Sequence, residues 1–238
     1  MEAPGNFFYS KSYRYQFAGP FTHWGGITTW TPNERWQFQT GLTNGWNGFD
    51  RTTDRLGMLA SAKYTSELWW TSFAITVGQD FNNTAGLPGV APAFTERDRY
   101  SWLVGLKMTS RLDYVFHQWL GIQDQALADG RQAQWYGIDQ YMFYTINDRW
   151  KAGARFEWFH DDDGTRVGLN RASNPNNPPY VGNFYSLSFG VNYSPTQNFI
   201  VRPEIRSDWY TGNSVPRPYQ DGAKTSQLML GLDAIYKF

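Results

Sequence analysis

Three histidines, His23, His117 and His160, are the residues of this sequence best suited to move protons near neutral pH. His117 shares a period-two face with Asp113, but no serine lies on that stretch to complete a nucleophile–base–acid set. A hydrolase built on His117 or His23 is an alternative reading, and it needs a serine from a neighbouring strand. His160-Asp-Asp-Asp-Gly164 resembles a fragment of a calcium loop, yet it lacks the spaced ligands and the closing glutamate. A solvated loop start accounts for it, so no metal site is expected. Cysteine is absent, which removes disulfides, thiolate zinc ligands and thiol catalysis. No glycine-rich phosphate loop is present. No catalytic residue and no cofactor are therefore expected. A different chemistry stands out at Arg202, Glu204, Arg206 and Asp208. These alternate in sign along one face of one stretch, where they can pair with one another.

The elements that carry these side chains read as strands. The last thirteen residues run from Ser226 to Phe238. Their alternate positions Leu228, Leu230, Leu232, Ala234, Tyr236 and Phe238 are apolar, and the other set is mixed and mostly polar. Similar stretches are predicted at 36–46, 55–64, 68–78, 99–108, 112–122, 135–146, 150–159, 184–193 and 199–210, with a weaker one at 21–30. Residues 7–18 alternate loosely, as a strand or as an extended segment folded inward. Counting them gives twelve strands, and leaving them out gives eleven. Short polar turns such as Thr109-Ser-Arg111 and Asn147-Asp-Arg149 alternate with long loops such as 79–98 and 160–183. One end of the sheet is thus trimmed and the other elaborated, as in outer-membrane barrels.

Composition agrees. The chain of 238 residues suffices for one barrel domain, 1–238, closed by the strand 226–238. Its 12 Trp, 15 Tyr and 17 Phe outnumber Leu, Ile and Val together, which suits a barrel with aromatic girdles better than a soluble core. No apolar run is long enough for a transmembrane helix, but a membrane-crossing strand needs only about 9–11 residues, half of them polar. Basic and acidic residues balance at 21 each, which argues against a nucleic-acid partner. No signal peptide follows Met1. Since an outer-membrane protein must be exported, a removed leader or a partial sequence is expected.

The prediction is an all-β, antiparallel transmembrane β-barrel of about twelve strands. With the apolar faces turned to lipid, the expected pore-lining residues are Arg14, Arg55, Lys63, Arg99, Lys107, Asp113, His117, Lys151, Arg155, Glu157, Arg202, Glu204, Arg206 and Asp208. Asp233 and Lys237 share that orientation. Basic residues outnumber acidic ones in this set, a bias toward anions unless the charges pair across the lumen. The aromatics expected at the membrane interface are Trp36, Trp69, Trp135, Trp150, Trp158, Trp209, Tyr236 and Phe238, with Trp46 at another strand end.

Glu2-Ala-Pro-Gly-Asn-Phe-Phe-Tyr-Ser-Lys-Ser-Tyr13, followed by Pro20-Phe-Thr-His23, resembles a stretch of the OmpL-like family of β-barrel porins. The closing Gly231-Leu-Asp-Ala-Ile-Tyr-Lys-Phe238 is similar to that family's end. The terminal Phe238 also resembles the residue read by the outer-membrane insertion machinery. The resemblance implies a porin-like protein of a Gram-negative-type outer membrane, and it transfers no catalytic residue. The expected partners are outer-membrane lipid, the insertion machinery and small polar solutes. The expected function is passive diffusion of small hydrophilic solutes with a mild anion preference. The constriction would be either the loop 79–98 or the N-terminal tyrosine-rich segment. A plugged structural or surface-interaction barrel without conductance is the alternative.

Overall fold

The computed structural model describes residues 5–48, 55–81, 93–127, 129–167 and 179–238. It is a single antiparallel sheet of eleven strands, each paired with its neighbour in sequence. The strands are β1 (Gly25–Trp30), β2 (Trp36–Thr43), β3 (Gly57–Thr65), β4 (Trp69–Phe81), β5 (Phe94–Lys107), β6 (Leu112–Gln123), β7 (Ala133–Asn147), β8 (Trp150–Asp161), β9 (Gly182–Thr196), β10 (Phe199–Thr211) and β11 (Ser226–Tyr236). Among the described residues β1 and β11 are the two ends of this order.

Residues 7–18 add no strand, so among the described residues the count is eleven. The chain there bends through a π-helical turn, Arg14–Ala18. Strands also run further into the elaborated end than their apolar alternation suggests. β4 continues to Phe81 and β5 starts at Phe94, so the loop expected at 79–98 shrinks to a stretch that lies outside the described residues. The added rungs pair Gln79 with Glu96 and Gly78 with Arg97, polar residues whose ladder continues where an apolar face is no longer needed.

Side-chain caps shape the short turns. Asn147 Oδ1 accepts the backbone N–H of Arg149 and Trp150 at 2.9 and 3.1 Å, and Asn33 Oδ1 does the same for Arg35 and Trp36 at 3.0 Å. Thr109 Oγ1 plays that part for Arg111 and Leu112. Such side-chain mimicry of a backbone turn is why Asn, Ser and Thr lead these reversals.

Alternation sorts the two faces. Along β11, Leu228, Leu230 and Leu232 are 68, 75 and 67% exposed, so this apolar row has no protein neighbour. The outer face also carries the aromatic rows. Near the short turns Trp30, Phe38, Trp36, Tyr64 and Trp69 run ring to ring across β1–β4 with centroids 4.9–5.5 Å apart. Trp150 stacks on Tyr193 at 4.3 Å in the same tier. Near the long loops Trp158 meets Tyr136 at 5.8 Å and Trp209 stacks on Tyr185 at 5.3 Å. These are two girdles bounding an apolar band. Arginine at Leu230, in the middle of that band, is expected to cost about 2–4 kcal/mol, whereas Gln227→Lys on the inner face beside Asp208 is expected to be nearly neutral. Urea titration of the protein folded into liposomes measures both.

The inner face holds the core. Tyr13, Trp119, Trp135, Phe159, Phe184 and Tyr210 form one buried cluster with Tyr180 and Tyr219 at the long-loop end. Many of the aromatics therefore fill the interior instead of facing lipid. Trp135 is the clearest departure from expectation. It shares the inner face of β7 with Gly137 and Asp139, and it is fully buried. Its register partner is Gly121, where an added Cβ would lie 2.2 Å from the indole, so only glycine leaves room for the ring.

Candidate functional site: a segment held across the inner face

Residues 5–19 cross the inner face of the sheet and touch strands from β5 to β11. Gly19 packs against Arg99 of β5, and Tyr9 against Gly231 of β11. In a flat sheet those strands would span about 29 Å at ~4.8 Å per step. The segment meets that span from the inner face, with partners on β5, β7, β8, β10 and β11.

The wall grips the segment by its backbone. Carboxylates take its N–H groups: Glu204 accepts from Ser10 N at 2.7 Å and from Ser10 Oγ at 2.6 Å, and Glu157 accepts from Tyr13 N at 2.6 Å. Guanidiniums take its carbonyls. Arg155 donates to Ser10 O at 3.0 Å, Arg206 to Lys11 O at 2.6 Å, Arg166 to Phe17 O at 2.7 Å and Arg202 to Asn6 O. Trp135 Nε1 donates to Ala18 O at 3.1 Å. An extended chain cannot satisfy its own peptide groups, so a buried one needs such partners. The alternating charges of β10 supply part of them, and Arg155 and Glu157 of β8, Arg166 and Trp135 supply the rest. Arg206 and Asp208 also pair with each other at 2.6 Å, and Arg202 pairs with Asp233.

Arg155 sits at the centre. Its Nε lies 2.6 Å from Glu157 Oε1, close enough for an ion pair though not aligned as a hydrogen bond. It also reaches Glu204 Oε1 at 3.6 Å, Ser10 Oγ at 2.8 Å and Ser188 Oγ at 3.0 Å, and its guanidinium lies 4.8 Å from the Phe8 ring centre. Arg14 pairs with Asp139 at 2.7 Å from the segment's own side. Charges of both signs are thus matched within the lumen.

The far end is pinned by the loop after β8. Asp161 accepts the backbone N–H of Thr165, Arg166 and Val167 at 3.0, 2.8 and 2.8 Å, which sets Arg166 over Phe17 O. Its neighbours are engaged as well, Asp162 with His160 at 3.2 Å and Asp163 with the N–H of Gln134 at 3.0 Å. Among the described residues no group of three or more His, Asp or Glu is disposed to hold a metal. Tyr219, in the loop before β11, meets the Tyr13 hydroxyl at 2.6 Å, and burial pushes its phenol up to about 12.

Most of the expected pore-lining residues fall into two groups. Arg155, Glu157, Arg202, Glu204, Arg206, Asp208 and His117 are buried on the inner face and meet the segment or its neighbours. Lys63, Lys107, Asp113 and Lys151 lie on the inner face of their strands nearer the rims or the flanks, and Arg99 packs against Gly19 of the segment. Arg14 belongs to the segment itself, and Arg55 precedes β3 and is exposed. Of the expected interface aromatics, Trp36, Trp69, Trp150, Trp158 and Trp209 lie on the outer face. Tyr236 and Phe238 are exposed, Trp135 is internal, and Trp46 is buried beneath Arg97. Asp139 and Arg166 are not among the residues expected from sequence, and Ser10 and Tyr13 enter there only as members of the tyrosine-rich segment named as a candidate constriction. Strand parity places Asp139 with Trp135 inside, but no local pattern marks the segment's partners.

The serine that His117 lacks on its own strand comes from β5. Ser101 Oγ lies 2.7 Å from His117 Nε2, and Asp139 Oδ2 lies 3.6 Å from Nδ1. The order of groups is that of a hydrolytic triad, but the geometry differs. The Asp139 contact is beyond hydrogen-bond reach, and the same oxygen already accepts from Arg14. Ser101 also sits mid-ladder, with its neighbours paired on both sides, so no pair of backbone N–H groups converges there to hold an oxyanion. This is a polar network inside the wall.

Comparison with known proteins gives the family. A family model described as "Putative beta-barrel porin-2, OmpL-like" matches residues 1–238. No curated protein matches the chain. Among solved structures, a FadL homologue of Pseudomonas aeruginosa shares 14% identity at a TM-score of 0.47, over 90% of this chain; the chain spans 66% of that protein. The NanC porin shares 12% at 0.44, with 89% and 91% covered. The monoaromatic hydrocarbon channel CymD shares 10% at 0.46, with 91% and 72% covered. With its trimmed and elaborated ends, its two girdles and a family match over its whole length, the chain belongs to the OmpL-like β-barrel porins of the Gram-negative-type outer membrane.

Proposed function

We propose that the chain forms a passive, non-enzymatic channel for small hydrophilic solutes, whose bore is set by the N-terminal segment 5–19. The observation that carries this reading is the binding of that segment's backbone by Glu157, Glu204, Arg155 and Arg206 on the inner wall. A segment held at a fixed place across the inner face narrows the lumen without a moving part. Any anion preference is mild, because Arg14, Arg155 and Arg206 are already matched by carboxylates. The exposed apolar row of β11, ending at Phe238, is the surface that would meet lipid and the insertion machinery.

Single-channel conductance of the refolded protein in a planar bilayer, under a salt gradient, tests this. Steady conductance with a small reversal potential on the anion side is the expected result. The second reading, a plugged barrel, is favoured by the density of bonds to the segment. It predicts a folded protein with no conductance.

A further inference from the structure

Between the segment and β4–β8 lies a cavity of about 320 Å³. Rings from both sides line it: Phe7, Phe8 and Tyr15 from the segment, and Trp70, Tyr141 and Phe143 from the wall. Glycines let two of these rings lie close against the sheet backbone. A Cβ at Gly105 of β5 would sit 2.2 Å from the Trp70 indole, and one at Gly153 of β8 would sit 2.4 Å from the Phe7 ring. Phe7 meets Phe8 edge to face at 5.0 Å and Phe143 at 5.0 Å, and Tyr141 stacks on Phe143 at 6.0 Å. These are the spacings at which aromatic pairs attract. A second cavity of about 340 Å³ shares Trp70, Val115 and Phe143 with the first and reaches the short turn at 65–68, which gives an approach from that end.

The polar groups that line the first cavity are engaged with protein. Arg14 pairs with Asp139 at 2.7 Å, and Arg155 pairs with Glu157 at 2.6 Å and donates to Ser10 O at 3.0 Å. His117 Nε2 lies 2.7 Å from Ser101 Oγ, and Lys11 Nζ lies 4.7 Å from the Tyr15 ring centre. A charged solute would give up its water to compete for groups that already have partners. A neutral solute gives up little and meets rings. Ligand sites are typically ~300–1,000 Å³ and mostly apolar, with a few placed polar groups. An apolar cavity of about 150 Å³ already suffices for benzene, so this one has room for one ring or two fused rings.

We infer that this cavity is a binding site for a neutral aromatic solute of one or two rings, held by stacking and edge contacts with Trp70, Phe7 and Phe143. The inference goes beyond the channel reading, because the site lies between segment and wall whether or not the lumen conducts.

Calorimetric titration of the refolded protein in detergent tests the site with three probes of one skeleton. They are naphthol, which is uncharged near neutral pH, its saturated counterpart decahydronaphthol, and naphthoate. Only saturable heat counts, since partition into micelles does not saturate. Naphthol is expected to bind about threefold or more tighter than decahydronaphthol, the margin that pairing of rings adds to buried area. It is expected to bind about tenfold or more tighter than naphthoate, whose carboxylate must be stripped of water. Val115→Trp, which fills space shared by the two cavities, is expected to abolish saturable binding with the β-sheet circular dichroism unchanged. Trp70→Leu, which keeps an apolar side chain and is the gentler change, is expected to weaken naphthol about fivefold. Naphthol bound no tighter than decahydronaphthol, naphthoate bound as tightly as naphthol, or binding unaltered by Trp70→Leu would overturn the assignment.

Discussion

Replacing Arg155 with methionine should destabilise the protein by about 3–5 kcal/mol, the range for breaking a buried ion pair by removing one partner. The reason is what remains. Glu157 is fully buried and Glu204 nearly so, and both face Arg155 at 2.6 and 3.6 Å. Without the guanidinium they face each other's charge across a dry wall. Ser10 O also loses its 3.0 Å donor, so the segment loosens where it crosses β8. Two measurements follow. Urea unfolding in liposomes should show the loss, and the conductance of R155M should exceed that of the parent protein, because the constriction is no longer fixed. Adding Glu157→Gln to R155M should recover part of the stability. The glutamine removes the unmatched charge, and its oxygen can still accept the N–H of Tyr13. A stable R155M with unchanged conductance would show that the segment is held by something other than these charges.

Trp135→Ala should cost a similar amount, about 3–5 kcal/mol, as for other large aromatics removed from a core. Trp135 is fully buried, and its Nε1 holds Ala18 O at 3.1 Å. Guanidiniums flank the ring, Arg166 at 4.7 Å and Arg97 at 5.9 Å from its centre. Removing the ring therefore opens a void, strips two cation–π contacts and leaves Gly121 facing empty space. An aromatic at a membrane girdle would behave differently. Trp150, on the outer face and, among the described residues, stacked on Tyr193, should cost less when changed to alanine. Equal and small losses at Trp135 and Trp150 would contradict the interior placement.

Much of this fold was legible because a barrel repeats one local rule. Period-two alternation located β6, β8 and β10 to within a residue or two, and it placed Arg155, Glu157, Arg202, Glu204, Arg206 and Asp208 on a single face. Strand ends were less legible. β4, β5 and β9 run past the apolar band, where alternation no longer carries hydrophobic contrast. The character of Trp135 was misjudged for a related reason: an aromatic near a strand end suits a girdle by type, and only strand parity shows that it points inward. The segment 5–19 was the hardest part. Its tyrosines and serines alternate loosely, as an edge strand might, and its partners lie as far as 196 residues away in sequence. Nothing local announces that Glu204 will take the N–H of Ser10. The charged ladder on β10 did suggest self-pairing, but about half of its hydrogen bonds go to the segment, to its backbone and to the Ser10 hydroxyl.

The central claim is that residues 5–19 lie inside the wall, held through their peptide groups. Hydrogen exchange read by mass spectrometry on peptides covering 8–18 tests it directly. The N–H groups of Ser10 and Tyr13 donate to buried carboxylates, so those peptides should exchange as slowly as peptides from β8 and β9. Exchange of the segment within seconds, while β8 and β9 stay protected, would contradict the account.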